Sequence, residues 1–274
     1  MVSRGASIAI SLLSCARLAS AGDEGAGGIQ DNSFLIEEAY NQDPGVVQHI
    51  NVLTRDQKTH DWIYSLTEEW PAPNLRHQLS YSIPYANVSE GTGRHRGPGD
   101  VALNYRYQLV GDADARIALA PRITILAPTG DEARGLGAGG AGLQIGIPVS
   151  VVLSSKLVAH ANLGATYVPR ASDGSGNRAA TRSYTAGGSL VLLAASHFNA
   201  LLEATYASSE SVVGRDATSR DATTLVSPGI RWSHDFSNGL QIVPGIAYAF
   251  GIGEARGEGS VLLYLSFEHP FRRL

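Results

Sequence analysis

The feature that most constrains this chain is a two-residue period with a full charge inside it. Residues 101–110 read VALNYRYQLV, with Val101, Leu103, Tyr105, Tyr107 and Leu109 on one parity and Ala102, Asn104, Arg106 and Gln108 on the other. Such a period makes a β-strand with two unlike faces. Arg106 then looks either at outside water from a soluble β-protein, or at a wet interior from a barrel whose other face meets lipid. No later stretch gives some 18 uninterrupted apolar residues. Among membrane-crossing structures that leaves only the closed barrel.

Alternation of this kind recurs over 46–55, 61–70, 77–88, 100–110, 115–127, 142–154, 157–169, 182–195, 198–208, 223–235, 240–251 and 259–271. An unbroken series of strands suggests a sandwich or a barrel. The links between them favour the barrel. Tight ones at 111–114, 155–156, 196–197 and 237–239 alternate with longer polar ones at 89–99, 130–141, 170–181 and 209–222. Outer-membrane barrels sort short periplasmic turns from longer external loops in this way, whereas a sandwich has no reason to.

If odd strands run outward, Tyr85, Tyr167, Tyr206 and Tyr248 fall near external ends. Trp70, Trp232, Phe236, Phe267 and Phe271 then fall near periplasmic ends, which makes two aromatic girdles. The expected fold class is all-β: a single antiparallel transmembrane β-barrel of about 12 strands in the bacterial outer membrane. A charge facing lipid at mid-membrane costs about 2–4 kcal/mol. The polar parity of Asn104, Arg106, Arg122, His160, Asn162, Glu203, Arg231 and Glu268 is therefore expected to face the lumen. Glu68 sits on the apolar parity of its segment, which predicts a bulge or a frayed end there.

The N-terminus reads as an export signal over 1–21, with Arg4, an apolar run from Ala6 to Leu13, and a cleavage site at Ala19-Ser20-Ala21. Leu12-Leu13-Ser14-Cys15 offers the alternative of a lipoprotein acylated at Cys15. Cleavage after Ala21 would leave no cysteine, hence no disulfide framework and no catalytic thiol. Residues 22–45 form a periplasmic or lumenal segment that could enter the barrel as a plug, and 46–274 form the barrel. Within the segment, Ser33–Tyr40 is expected to make one or two helical turns capped by Ser33 and ended by Asn41-Gln42-Asp43-Pro44-Gly45.

Several motifs suggest chemistry and fall to simpler readings. Gly135-Leu136-Gly137-Ala138-Gly139-Gly140 matches a dinucleotide fingerprint, but a strand follows where a helix would have to open. His234 and Ser237 resemble part of a hydrolytic site, yet three residues apart they lie on opposite strand faces. The eight histidines show no ligand spacing. No metal, no cofactor and no enzymatic activity is expected. The net charge of −4 argues against nucleic acid as a partner. Arg94-His95-Arg96 reads as a solvated external loop within reach of lipopolysaccharide phosphates.

The segment 36–50, IEEAYNQDPGVVQHI, with the strand pattern and the following Pro71-Ala72-Pro73-Asn74 turn, carries a resemblance. It is similar to the bacterial outer-membrane transporters catalogued under the "MetA pathway of phenol degradation". That resemblance spans essentially residues 22–274. It implies a transporter-like barrel for small, apolar or aromatic solutes and no agreed site residues. The expected function is a passive channel or transporter, with a sealed structural barrel as the alternative. The expected partners are the lipid bilayer, lipopolysaccharide, a small-molecule solute and the outer-membrane insertion machinery.

Overall fold

The structure is a computed structural model that describes residues 32–90, 93–112 and 115–270. The signal segment, the choice at Cys15, residues 22–31 and Phe271 lie outside the described residues. Fifteen strand segments follow one another: β1 (Val46–Asp56), β2 (Trp62–Pro71), β3 (His77–Glu90), β4 (Gly93–Pro98), β5 (Val101–Tyr107), β6 (Ile117–Leu119), β7 (Arg122–Ala127), β8 (Gly142–Ser154), β9 (Leu157–Ser172), β10 (Arg178–Ala195), β11 (Phe198–Gly214), β12 (Ala217–Trp232), β13 (His234–Asp235), β14 (Gln241–Ile252) and β15 (Gly259–Pro270). β4 and β5 are one stave broken at Gly99-Asp100, β6 and β7 another broken at Ala120-Pro121, and β12 and β13 a third broken at Ser233. The segments therefore make twelve staves. Each pairs antiparallel with its neighbours, and β1 pairs with β15 from Val46↔Pro270 to Asp56↔Ser260 to close the sheet on itself.

Closure leaves the strands no free edge and gives every stave an inside and an outside. In β5, Leu103 and Tyr105 are exposed, while Asn104 and Arg106 between them are buried. The same alternation runs along β11 and β14. The exposed parity carries Ile123, Ile125, Leu143, Ile145, Leu163, Leu202, Ile246 and Leu263, a continuous apolar band far larger than a soluble monomer presents. The hydrophobic face thus points out to lipid and the polar face points in.

Tyr85, Tyr167, Tyr206 and Tyr248 all stand exposed on the outward face toward the barrel end away from the termini. Tyr184 joins them, and two arginines cap this ring: Arg182 over Tyr167 at 5.6 Å and Arg220 over Tyr184 at 5.5 Å. Trp232 and Phe236 are exposed toward the terminus end. There Trp70 packs edge-on to Tyr81, and Phe267 stacks on His49.

Three expectations about local structure are corrected. The long polar links are mostly strand: β11 and β12 pair up to Val212↔Thr218, β9 and β10 up to Ser172↔Arg178, and β3 and β4 up to Glu90↔Gly93. Beyond the tyrosine ring both faces of a strand are wet, so polar residues still pair as hairpin while the apolar alternation vanishes. The link 128–141 stays a loop, pinned when Asp100 Oδ1 accepts the Gly130 N–H at 2.9 Å and Oδ2 the Ala138 N–H at 2.7 Å.

No bulge forms at Glu68, since β2 keeps unbroken register with both β1 and β3. Its carboxylate instead meets His49 Nδ1 at 3.1 Å at the terminus-end girdle. Finally, Ser33–Tyr40 makes bends rather than a helix.

Facing arginine to lipid tests this orientation. Ile123→Arg, at the middle of its stave, is expected to cost about 2–4 kcal/mol of folding free energy in bilayers. Val213→Arg, at a hairpin tip beyond the tyrosine ring, should cost under about 0.5 kcal/mol. Denaturant titration of refolding into vesicles reads both.

Candidate functional site: a belt across the lumen

The interior of the barrel is occupied by residues 32–42. This stretch runs as an extended belt, and its backbone polar groups are met by wall side chains rather than by a neighbouring strand. The Gln42 N–H donates to Gln78 Oε1 at 2.8 Å. Gln108 accepts from the Asn41 N–H at 3.0 Å and donates to the Ala39 carbonyl at 2.7 Å. Arg106 donates to the Asn41 side chain at 3.0 Å, to the Glu38 carbonyl at 3.1 Å and to the Tyr40 carbonyl at 2.6 Å. The Ala39 N–H donates to Ser150 Oγ at 2.7 Å, and Ser150 in turn meets His160 Nδ1 at 2.7 Å.

The belt continues round the wall. Asn162 accepts the Glu37 N–H at 2.7 Å and donates to the Glu37 carbonyl at 2.9 Å. Glu203 Oε1 accepts the Leu35 and Ile36 N–H groups at 2.8 and 3.1 Å. Ser33 and Ser189 share a hydroxyl hydrogen bond of 2.8 Å, and Arg231 donates to the Asn32 carbonyl. From Gln42 back to Asn32 the belt thus touches β3, β5, β8, β9, β10, β11 and β12. These bonds explain the absent helix. The N–H groups that an α-helix would turn toward its own carbonyls are taken by wall side chains and, at Glu38, by Asn32 Oδ1 at 3.0 Å, and Ser33 bonds Ser189 instead of capping.

Apolar contacts fix the belt at Phe34. A Cβ on Gly229 or Gly245 would fall 2.5 Å from the Phe34 ring, so these two strand glycines make the shelf on which Phe34 lies. Tyr264 tilts against it with ring centroids 5.3 Å apart. At the other end, burial pushes the Tyr40 hydroxyl up to about 12, with the Glu38 carboxylate adding to the shift. Tyr40 therefore stays a neutral donor to the Ala115 carbonyl at 2.9 Å.

Of the residues singled out by parity, Arg106, His160, Glu203 and Arg231 are buried, and they meet around the belt. Asn104 is buried one step farther along its stave, between Ser80 and Thr124. Arg122 is half-buried, ion-paired with Glu37, and donates to Gln144 Oε1 at 3.0 Å. Glu268 is half-buried near the terminus end, in register with Gln48 and Gln241.

Charge directed attention away from neutral partners that do as much: Gln78, Gln108, Ser150 and Ser189. They share the inward parity, and that parity alone would have found them. Two cavities border the belt at Leu35, Ile36 and Glu37. One of about 220 Å³ is lined by Gln144, Asn162, Thr185 and Thr205, and one of about 200 Å³ by Val52, Thr67, Ser82, Asn104 and Tyr264. Ser82, Asn104 and Val52 stand farther from the terminus end than Gln78, Arg106 and Gln48, so this second cavity lies on the side of the belt away from that end.

His197 meets Ser233 at 3.1 Å and Asp235 at 3.4 Å through the same nitrogen, Nδ1, whereas a catalytic relay needs one partner on each ring nitrogen. Among the described residues no group of His, Cys, Asp and Glu stands ready for a metal.

No protein-family model matches this chain, and no curated protein matches it. Solved structures do share the fold. A COG4313 outer membrane channel from Pseudomonas putida F1 superposes with a TM-score of 0.59 at 16% identity, covering 85% of this chain and 97% of that one. The NanC porin gives 0.56 at 14% identity, covering 80% and 98%, and the KdgM porin 0.51 at 9%, covering 82% and 99%.

Removing the belt's main clamp tests its anchoring. In Arg106→Ala the carbonyls of Glu38 and Tyr40 lose buried partners, at about 1–3 kcal/mol each. Hydrogen exchange of the Glu37, Ala39 and Asn41 amides should quicken by at least about tenfold, while β10 and β11 amides stay unchanged. The closed twelve-stave barrel with its lipid-facing band has the fold of the bacterial outer-membrane β-barrels.

Proposed function

We infer that this barrel is a passive channel for small solutes, held shut by its own N-terminal segment acting as a plug. The observation that carries the reading is the belt itself. A wall that only had to be sealed would be filled by its own side chains, as in the smallest barrels. Here a separate stretch of chain is laid across the lumen on side-chain hydrogen bonds, which break singly and re-form with water when it leaves. The wall it would uncover carries Arg106, Arg122, His160, Glu203 and Arg231, a mixed-charge lining of the kind that sets selectivity in narrow pores.

The space beyond the belt is small and two-natured. Thr67, Ser82 and Asn104 line it together with Ile50, Val52, Phe34 and Tyr264. That lining suits small solutes with an apolar or aromatic body, the class implied by the family resemblance. The structures that share the fold include porins and a channel, which agrees with the reading. Lipopolysaccharide at the tyrosine ring and the outer-membrane insertion machinery are the partners that go with it. The second reading, a sealed structural barrel, draws on how completely the belt's amides are satisfied.

Single-channel recording in planar bilayers separates the two. The chain from residue 22 should give rare or small steps, and the chain from residue 46 frequent and larger ones. Arg106→Ala in the shortened chain should shift ion selectivity toward cations. Verified insertion of the shortened chain without conductance steps would establish the sealed barrel instead.

A further inference from the structure

Among the links between belt and wall described above, Glu37 with Arg122 is the one ion pair. Its setting differs from that of the others. Arg106 and Arg231 are buried and grip backbone carbonyls. Arg122 is half-buried, and Arg122 and Glu37 line both cavities that border the belt. The pair therefore stands where the belt borders both cavities.

The guanidinium is prepared for a planar anion. Arg122 pairs across the sheet with Gly146, and its side chain lies along β8 in van der Waals reach of that glycine. Gln144 accepts one of its N–H groups and passes the network on to Thr166 at 3.0 Å. Nε is buried with no partner among the described residues. A guanidinium offers forks of two parallel N–H groups to a carboxylate; here Glu37 holds Nη1, Gln144 holds Nη2, and the Nε arm is unfilled.

Apolar groups stand beside it: Leu35 and Ile36 from the belt, and Ile50, Val52 and Tyr264 from the wall. We propose that Arg122 is a solute site for small amphipathic carboxylates, and that Glu37 occupies it in this structure as a built-in competitor. An entering carboxylate takes the guanidinium, Glu37 is released to water, and the belt loses its ionic tie. This last consequence rests on the channel reading above, whereas the site itself does not. By linkage, whatever loosens Glu37 must tighten the solute to the same degree.

Benzoate is the probe, with benzyl alcohol as the control that lacks the charge. Equilibrium binding is measured by calorimetry on the detergent-solubilised full chain, and heat-modifiable gel migration confirms that each variant is folded. Wild type should bind benzoate weakly, Glu37→Gln about tenfold more tightly, and Arg122→Gln not measurably. Benzyl alcohol should not distinguish the three. In bilayers benzoate should raise the open probability of wild type and leave that of Glu37→Gln unchanged. Equal benzoate affinity in wild type and Glu37→Gln, or undiminished binding by Arg122→Gln, would overturn the site. Failure of every form to conduct, with the affinity order intact, would remove the channel reading and leave the site standing.

Discussion

The whole arrangement depends on one requirement: a backbone amide or carbonyl shut away from water must find a partner. A barrel meets it for its own strands by closing β1 onto β15. The belt has no strand beside it, so side chains must stand in. Gln108 and Asn162 each accept an N–H and donate to a carbonyl of the belt, the two bonds that a neighbouring strand would supply. Glu203, Ser150, Gln78 and Arg106 complete the set. The lumen lining is in effect a second sheet edge written in side chains.

That use of the inward face explains its composition. It is polar because it serves a backbone, and it carries glycine at 187, 229 and 245 because Ile36 and Phe34 come close there. The outward face is free of such duties and answers only to lipid, so it repeats Leu, Ile and aromatic residues with little variation. Two solvents act on one strand, with the boundary at every Cα.

The first solvent was easy to read and the second was not. Alternation in VALNYRYQLV, and its recurrence in eleven other segments, located the staves because burial imprints a local period on the chain. Parity also found Arg106, Glu203 and Arg231. The belt left no such trace. The wall side chains that bond its backbone lie 36 to 199 residues away, and nothing periodic marks a segment held by scattered side chains. Ser33-Phe34-Leu35-Ile36-Glu37 looked like a capped helix because local propensity was the only signal available there. The hairpins past Tyr184 and Tyr206 looked like loops because the apolar period stops where lipid stops, although pairing does not. Strand glycines at 229 and 245 were the missed clue, since glycine inside a strand often marks close approach by another chain segment.

The central claim is that the belt must leave its place for the barrel to conduct. Ser33 and Ser189 stand with their hydroxyl oxygens 2.8 Å apart, one on the belt and one on β10. Cysteines at both positions, with Cys15→Ser, would form a bridge that holds the belt in place. Single-channel recording before and after adding a reductant to the same membrane reads the outcome. The account predicts silence while the bridge is intact and conductance steps once it is reduced. Steps of equal size and frequency under both conditions would contradict it.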